Sequence, residues 1–389
     1  MTATPPAAGA SWRIGFDAKR IVRNRTGLGA YGRTLVNDLS LSAPAGTELL
    51  LYAPDAGHDD LRSQMAVGPT MRFVYPDGRW PKWWWRSRGI VDQLRRDGVG
   101  LFHGLSGELP VGLRRAGIPG VVTIHDLIFM RHPEYYHWID AQIYAAKFRA
   151  TCREASRIIA ISECTKRDVM ELGGVASDRI TVVYQSCNPR FGLPLGADAA
   201  AEVSRRLGLP RRYVLSVGSI EERKNVLLLL RALPLLPSDV SLVVVGRHTP
   251  YADRVLSEAR RMGLAHRVIL LHGVADADLQ AVYQQAEVFA YPSRYEGFGI
   301  PIIEAVFSRL PVVACTGSCL EEAGGPHCLY VAPDDAEGMA RAIAAMLHGA
   351  PERQQRIERS LDYVQRFRGR DVAAQVADVY AQLMEENGR

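Results

Sequence analysis

Two carboxylates, Glu296 and Glu304, bracket the run EGFGIPIIE with seven residues between them. The run lies in AEVFAYPSRYEGFGIPIIEAVFSRLPVVA, residues 286–314, where an apolar run from Val288 to Tyr291, a turn-rich stretch to Gly299, a helical stretch to Arg309 and a second apolar run spell strand, loop, helix and strand. Pro301 suits a first helical position, so the helix is expected to start there with its unpaired N–H groups facing the loop at the strand's carboxyl end. In open parallel sheets that crevice takes ligands, and a helix N-terminus favours phosphate above other groups. Taken alone, Glu296 reads as readily as a solvated loop residue and Glu304 as a first-turn acid that complements the helix dipole.

A cationic set stands upstream. The apolar run Tyr213 to Val217 leads through Gly218-Ser219 to Arg223-Lys224, just ahead of a leucine-rich helix. Arg can fork onto two oxygens while Lys acts as a point charge, so the pair suits a diphosphate; in isolation it would read as surface charge. His125 and Asp126 follow the β-branched run Val121 to Ile124, which places them at the carboxyl end of another strand.

EGFGIPIIE closely resembles the E-x7-E signature of glycosyltransferase family 4, retaining enzymes with the two-domain GT-B fold. VLSVGSIEERKNVLLLLRAL resembles that family's strand, glycine turn and Arg-Lys donor-phosphate site, and LVVVGRH, VILLHGVADADLQAVYQQAEVFAYPS and LYVAPDD follow in the family's order. The resemblance covers most of the chain and is most specific from Tyr213 to Asp335. It implies an α/β GT-B architecture, two Rossmann-like doubly wound domains facing a central cleft. The expected divisions are an acceptor-side domain over 1–190, a linker over 191–210, a nucleotide-sugar-binding domain over 211–366 and a last helix, 367–389, crossing back to the first domain.

The resemblance also implies roles. Lys224, Arg223, the Gly27 loop and the N–H groups near Phe298, Gly299 and Ile300 would hold the donor diphosphate, Glu296 would bond donor-sugar hydroxyls near the developing positive charge, Glu304 would hold the ribose, and His125 would lie near the reacting sugar. These roles match the chemistry, in which a nucleoside diphosphate leaves as an anion while the anomeric carbon becomes oxocarbenium-like. HGLSGELP resembles a run found in members that use mannose-type donors, so the leading expectation is transfer of mannose from GDP-mannose to a bacterial glycan or polyprenyl-linked oligosaccharide of surface-polysaccharide biosynthesis. Retention ordinarily calls for a carboxylate nucleophile. No second acid stands out near His125, and the resemblance implies instead a same-face route in which the departing phosphate oxygen helps take the acceptor proton. Another GT-B enzyme, an epimerase or a phosphorylase, and an inactive nucleotide-sugar-binding subunit are the alternatives.

The elements that must position these residues fit 389 residues that are 47% hydrophobic and 23% charged, ordinary for a two-domain α/β protein. The opening MTATPPAAGA has neither a charged n-region nor an apolar h-region, and no apolar stretch is long enough to span a bilayer, so a cytoplasmic protein is expected, at most peripheral at the inner face of the cell membrane. Six cysteines match no common zinc spacing and read as thiols. A formal charge of +5 suits an anionic nucleotide or an acidic membrane surface, and no nucleic-acid partner is expected. Asp276-Ala277-Asp278 spells the D-x-D of metal-dependent glycosyltransferases, but it precedes an amphipathic run and reads as N-cap and first-turn acids, so no metal and no other cofactor are expected.

Two further stretches invite competing readings. Gly27, Gly29 and Gly32 spell G-x-G-x-x-G, yet nine residues separate Asp17 from Gly27 and no acid ends the second strand, Leu49 to Tyr52. A glycine-rich loop that follows a basic loop and caps an amphipathic helix, with Leu28, Tyr31, Leu35 and Leu39 on its apolar face, is the better expectation. Trp83, Trp84 and Trp85 among Arg79, Lys82, Arg86 and Arg88 read either as a contact with an anionic membrane or as a core-packed helix with a basic outer face.

Overall fold

Short runs of Val, Ile and Leu, broken by Gly and Pro, become strands because branched side chains fill both faces of a buried sheet. The protein, seen in a computed structural model, is described over residues 12–44, 46–78, 80–367 and 370–388. It divides into two compact units, Met1–Gln185 with Gly369–Arg389, and Ser186–Arg368.

The first unit holds β1 (Arg13–Asp17), β2 (Glu48–Tyr52), β3 (Met71–Val74), β4 (Leu101–Gly104), β5 (Gly120–Ile124), β6 (Arg157–Ala160) and β7 (Ile180–Val182), in the order β3-β2-β1-β4-β5-β6-β7. Every pairing is parallel. Side chains alternate across the sheet. Ile14, Phe16, Leu49 and Leu51 face the helices Gly27–Ser42 and Arg370–Glu386, while Leu50, Tyr52, Phe102 and Val122 face the helices Ile90–Arg96 and Trp138–Glu154. The last helix contributes Val372, Val376, Val379 and Leu383 to the first of these cores, one apolar stripe at helical spacing. Truncating any one of them to Ala removes about 2–5 kcal/mol or somewhat less for Val.

The second unit holds β8 (Tyr213–Val217), β9 (Ser241–Val245), β10 (Val268–Leu271), β11 (Val288–Tyr291), β12 (Val312–Cys315) and β13 (Leu329–Val331), in the order β10-β9-β8-β11-β12-β13 and again all parallel. Both units are therefore Rossmann-like. Strand order reverses between β1 and β4 in one and between β8 and β11 in the other, and at each switch point the loops diverge and leave a crevice at the strands' carboxyl ends.

Several local expectations are corrected. A helix, Lys19–Arg23, replaces the basic loop after β1. Gly27 is the first residue of the next helix, with Thr26 as N-cap, so the glycines lie in helix rather than loop. A Cβ at Gly29 would fall 1.9 Å from the Asn24 carbonyl oxygen and one at Gly32 would fall 3.1 Å from Ile21 Cγ1, so both serve close packing of this helix on the segment before it. Leu35 and Leu39 are buried, whereas Leu28 and Tyr31 are half-buried. The stretch 191–210 is not bare linker: it carries the helix Ala197–Leu207, which ties to the rest of its unit through Arg206 and Asp278. The helix after β11 runs Ile300–Phe307, one residue earlier than Pro301, which puts Glu304 beyond the first turn. Ala275, not Asp276, is the N-cap of the helix Asp276–Gln284; Asp276 pairs with Arg190 and Asp278 with Arg206 at 2.7 Å.

The tryptophan run divides by depth. Trp85 is buried and donates to Gln93 at 3.0 Å, Trp84 stacks on Trp80 at 4.5 Å between ring centres, and Trp83 is 73% exposed. Arg86 is turned inward onto Asp17 and Glu108, Lys82 is exposed but pairs with Asp55, and Arg88 is exposed; Arg79 lies outside the described residues. All six cysteines are buried. Among the described residues no helix is long and apolar enough to cross a membrane.

Candidate active site

At the switch point of the second unit the loop after β8 is held in a shape that most side chains would resist. Gly218 leaves the strand with φ 150°, and Asn225, with φ 55°, turns the chain from the short helical turn Glu222–Lys224 into the helix Val226–Ala232. Asn225 Nδ2 donates to the carbonyls of Pro292 at 3.1 Å and Pro333 at 2.8 Å, and Arg294 N donates to the Arg223 carbonyl at 2.9 Å. These bonds fasten the β8 loop to the β11 loop, which is why residues more than seventy apart meet. The leucine-rich helix that follows buries Leu227 to Leu230, anchoring the loop from below.

Lys224 Nζ lies 2.5 Å from Glu296 Oε1 and 2.7 Å from the Tyr291 hydroxyl, and Arg223 Nη1 lies 2.9 Å from Glu296 Oε2 and 2.7 Å from the Tyr295 carbonyl. All three charged side chains are at most 15% exposed. Burial alone would raise the Glu296 carboxyl, but Lys224 and Arg223 outweigh it and hold it at about 2. Burial likewise lowers Lys224, and Glu296 reverses the sign so that the ammonium is held above its ordinary value. The triad is charged at any working pH. Arg223 has a second carboxylate partner in Glu221, 3.5 Å away and more exposed, so Glu296 is the one buried carboxylate set against two buried cations; a diphosphate that reached them would find both pre-placed and largely desolvated.

The β11 loop is shaped by similar constraints. Gly299 has φ 155°, and a Cβ there would lie 2.9 Å from Ala323 Cβ. Cys319 Sγ donates to the carbonyls of Glu296, at 3.2 Å, and Phe298. Phe298 is buried against Phe367, and Ile300 opens the helix. Glu304 is not part of the triad: it accepts from the Tyr283 hydroxyl at 2.8 Å.

Two family models divide the chain between them. "Glycosyl transferases group 1" matches residues 201–362 and "Glycosyltransferase Family 4" matches residues 31–190. The chain belongs to glycosyltransferase family 4. It is 28% identical over 328 residues to O-antigen chain mannosyltransferase B of Escherichia coli, covering 83% of this chain and 82% of that protein. HepE of Anabaena, solved with UDP and glucose, superposes with a TM-score of 0.73 at 18% identity over 95% of this chain and all of that one. WaaG, a glycosyltransferase involved in lipopolysaccharide biosynthesis, gives 0.71 at 16% identity over 94% of this chain and 99% of that one. The fold is therefore GT-B, and the chain is a glycosyltransferase with mannosyltransferase relatives.

The family's remaining positions lie in the first unit. Gly27 is exposed, and a Cβ there would meet nothing. His125 follows β5, with Nε2 2.9 Å from the Leu105 carbonyl, Nδ1 accepting from Gln185 Nε2 at 3.0 Å and the edge of its ring against Tyr31. These partners place the proton on Nε2. Burial pushes His125 down to about 4, so the imidazole is neutral with both nitrogens engaged. His103 is wholly buried between the Tyr380 hydroxyl at 2.5 Å and Thr123 Oγ1 at 2.9 Å, a structural tie from β4 to the last helix. Tyr291 and Tyr283 were not legible as site residues, although Tyr291 closes its strand at the edge where ligands bind.

Glu304 gives a pH signature. Burial raises its carboxyl to about 7, with the Tyr283 hydrogen bond and Arg190 opposing. The folded state thus holds a proton that the unfolded chain releases near its ordinary 4.5. The corresponding stability is complete below pH 4.5 and is lost as pH rises through about 7. Glu304→Gln should flatten that slope, by on the order of 2–3 kcal/mol across the window. Urea titrations from pH 4.5 to 8 measure it; equal slopes for variant and wild type refute the assignment.

Proposed function

We propose that the protein is a retaining glycosyltransferase that moves a hexose, in the leading case mannose from GDP-mannose, to a bacterial glycan or lipid-linked oligosaccharide. The observation that carries this reading is the buried triad of Arg223, Lys224 and Glu296 at the second unit's switch point, two pre-placed cations around one buried carboxylate. Lys224 and Arg223 take the β-phosphate oxygens of the donor as they gain charge, helped by the backbone of Phe298, Gly299 and Ile300 and by Gly27. Glu296 then turns to the donor sugar, where a permanent carboxylate stabilises the oxocarbenium-like carbon. Glu304 bonds the ribose and His125 lies by the sugar. Similarity to an O-antigen mannosyltransferase supports the sugar, and UDP and glucose in HepE support a nucleotide-sugar donor.

A thermal-shift screen of GDP-mannose, UDP-glucose and UDP-galactose tests the reading, followed by NMR of the product's anomeric configuration. Inversion, or no stabilisation by any donor, defeats it. Transfer is expected to be independent of metal, because Asp276 and Asp278 each already serve an arginine. Full activity in EDTA is the expected outcome; loss that Mg²⁺ or Mn²⁺ restores overturns it. Contact with an anionic membrane would rest on exposed Trp80, Trp83, Lys82 and Arg88, without Arg86.

A further inference from the structure

The switch point of the first unit carries a second charged crevice, built differently from the first. A cavity of about 550 Å³ opens there, with Asp17 at the end of β1, Tyr52 at the end of β2, Phe102 of β4 and Thr151 of the helix Trp138–Glu154 in its walls. Five cationic side chains line it, Lys19, Arg23, Lys82, Arg86 and Lys147, against the three carboxylates Asp17, Asp55 and Glu108. Every carboxylate is already shared. Arg86 lies 2.5 Å from Asp17 and also pairs with Glu108, Lys147 lies 3.3 Å from Glu108, and Asp55 serves both Arg23 and Lys82, the latter at 2.6 Å.

Two positive charges are therefore left over, and the lysine without a share is Lys19, which pairs with no carboxylate among the described residues. Burial and the nearby Arg86 lower its pKa, with Glu108 and Asp17 opposing. Arg86 is clamped from both sides and only 18% exposed, so its guanidinium is pre-set rather than mobile. The rest of the lining supplies the other half of a binding site. Leu109 and Pro110 give apolar wall, and Trp83, 73% exposed, offers an open indole face at the rim. Such a face suits the C–H side of a sugar ring, while Asp55 and Glu108 can accept from hydroxyls. The same carboxylates would repel a string of phosphates, so the charge excess fits one acidic group on a polyhydroxylated ligand.

We propose that this cavity is a subsite for an acidic carbohydrate, a glycan residue bearing a phosphate or a carboxylate, seated with its anionic group toward Lys19, Lys147 and Arg86 and a ring face on Trp83. The subsite names the class of acceptor, and its place in catalysis rests on the transfer reaction proposed above. Its ligand chemistry does not.

Calorimetric titration of the full chain at low salt with mannose 6-phosphate, digalacturonic acid, neutral mannobiose and inorganic phosphate tests it. At least one acidic sugar should bind roughly tenfold or more tightly than mannobiose, and more tightly than inorganic phosphate. Which of the two wins tells a phosphorylated glycan from a uronic one. Lys19→Gln should remove most of that preference without changing mannobiose, and Trp83→Ala should weaken the sugars but not inorganic phosphate. Equal binding of acidic and neutral sugars, or an unchanged preference in Lys19→Gln, overturns the proposal. Donor turnover is followed in the same samples. Acidic-sugar binding without any transfer removes the proposed function and leaves the cavity; transfer to neutral acceptors with no acidic preference does the reverse.

Discussion

Glu296→Gln is expected to lower turnover by on the order of 10²-fold or more, because an amide cannot stabilise positive charge that develops only in the transition state. It is also expected to cost stability, which the isolated motif would not suggest. Glu296 is the buried carboxylate partner of both Lys224 and Arg223, and removing its charge leaves Arg223 with only the more exposed Glu221 and Lys224 beside a second cation. Breaking a buried pair in this way costs about 3–5 kcal/mol, and the remaining acceptor oxygen of Gln recovers part of that. A nucleoside diphosphate returns negative charge to the same cations, so GDP or UDP should raise the melting temperature of the variant by more than it raises that of the wild type. Near wild-type turnover would remove Glu296 from the reaction, and an unchanged melting temperature would dissolve the triad.

Lys224→Ala carries the second large effect. The ammonium sits on Glu296 and Tyr291 in the free protein, poised beside Gly218, where the bare backbone leaves room for oxygens to approach. A charge-assisted bond is worth about 1.5–3 kcal/mol, so affinity for nucleoside diphosphate should fall by roughly 10- to 150-fold. Affinity for the free nucleoside should change little, since nothing in the substitution touches the base or ribose. Equal losses for both ligands in titration would mean that Lys224 organises the loop rather than binding phosphate.

The run from Tyr213 to Asp335 carried its own architecture in sequence. Strand-sized apolar runs, a glycine turn, the Arg-Lys pair and the E-x7-E spacing are local signals, and each encodes backbone shape or side-chain chemistry within a few residues. Two parallel-sheet units, the family and the membership of Arg223, Lys224 and Glu296 in one site follow from them. That much the sequence by itself determined. Tertiary structure alone decided who compensates whom. Nothing between Arg86 and Asp17 in sequence says that this arginine leaves a basic, tryptophan-rich surface run to pair inside the sheet's crevice, because the pairing depends on β1 and β4 being neighbours across a switch point. The same holds for Glu304, whose carboxyl is raised by the burial that packing imposes against the opposing pull of Tyr283 and Arg190 from other elements, and for His125, whose proton is placed by Leu105 and Gln185. Charge type is written in the chain, but the energy of a charge depends on burial and on partners brought from afar, and only the packed fold sets those.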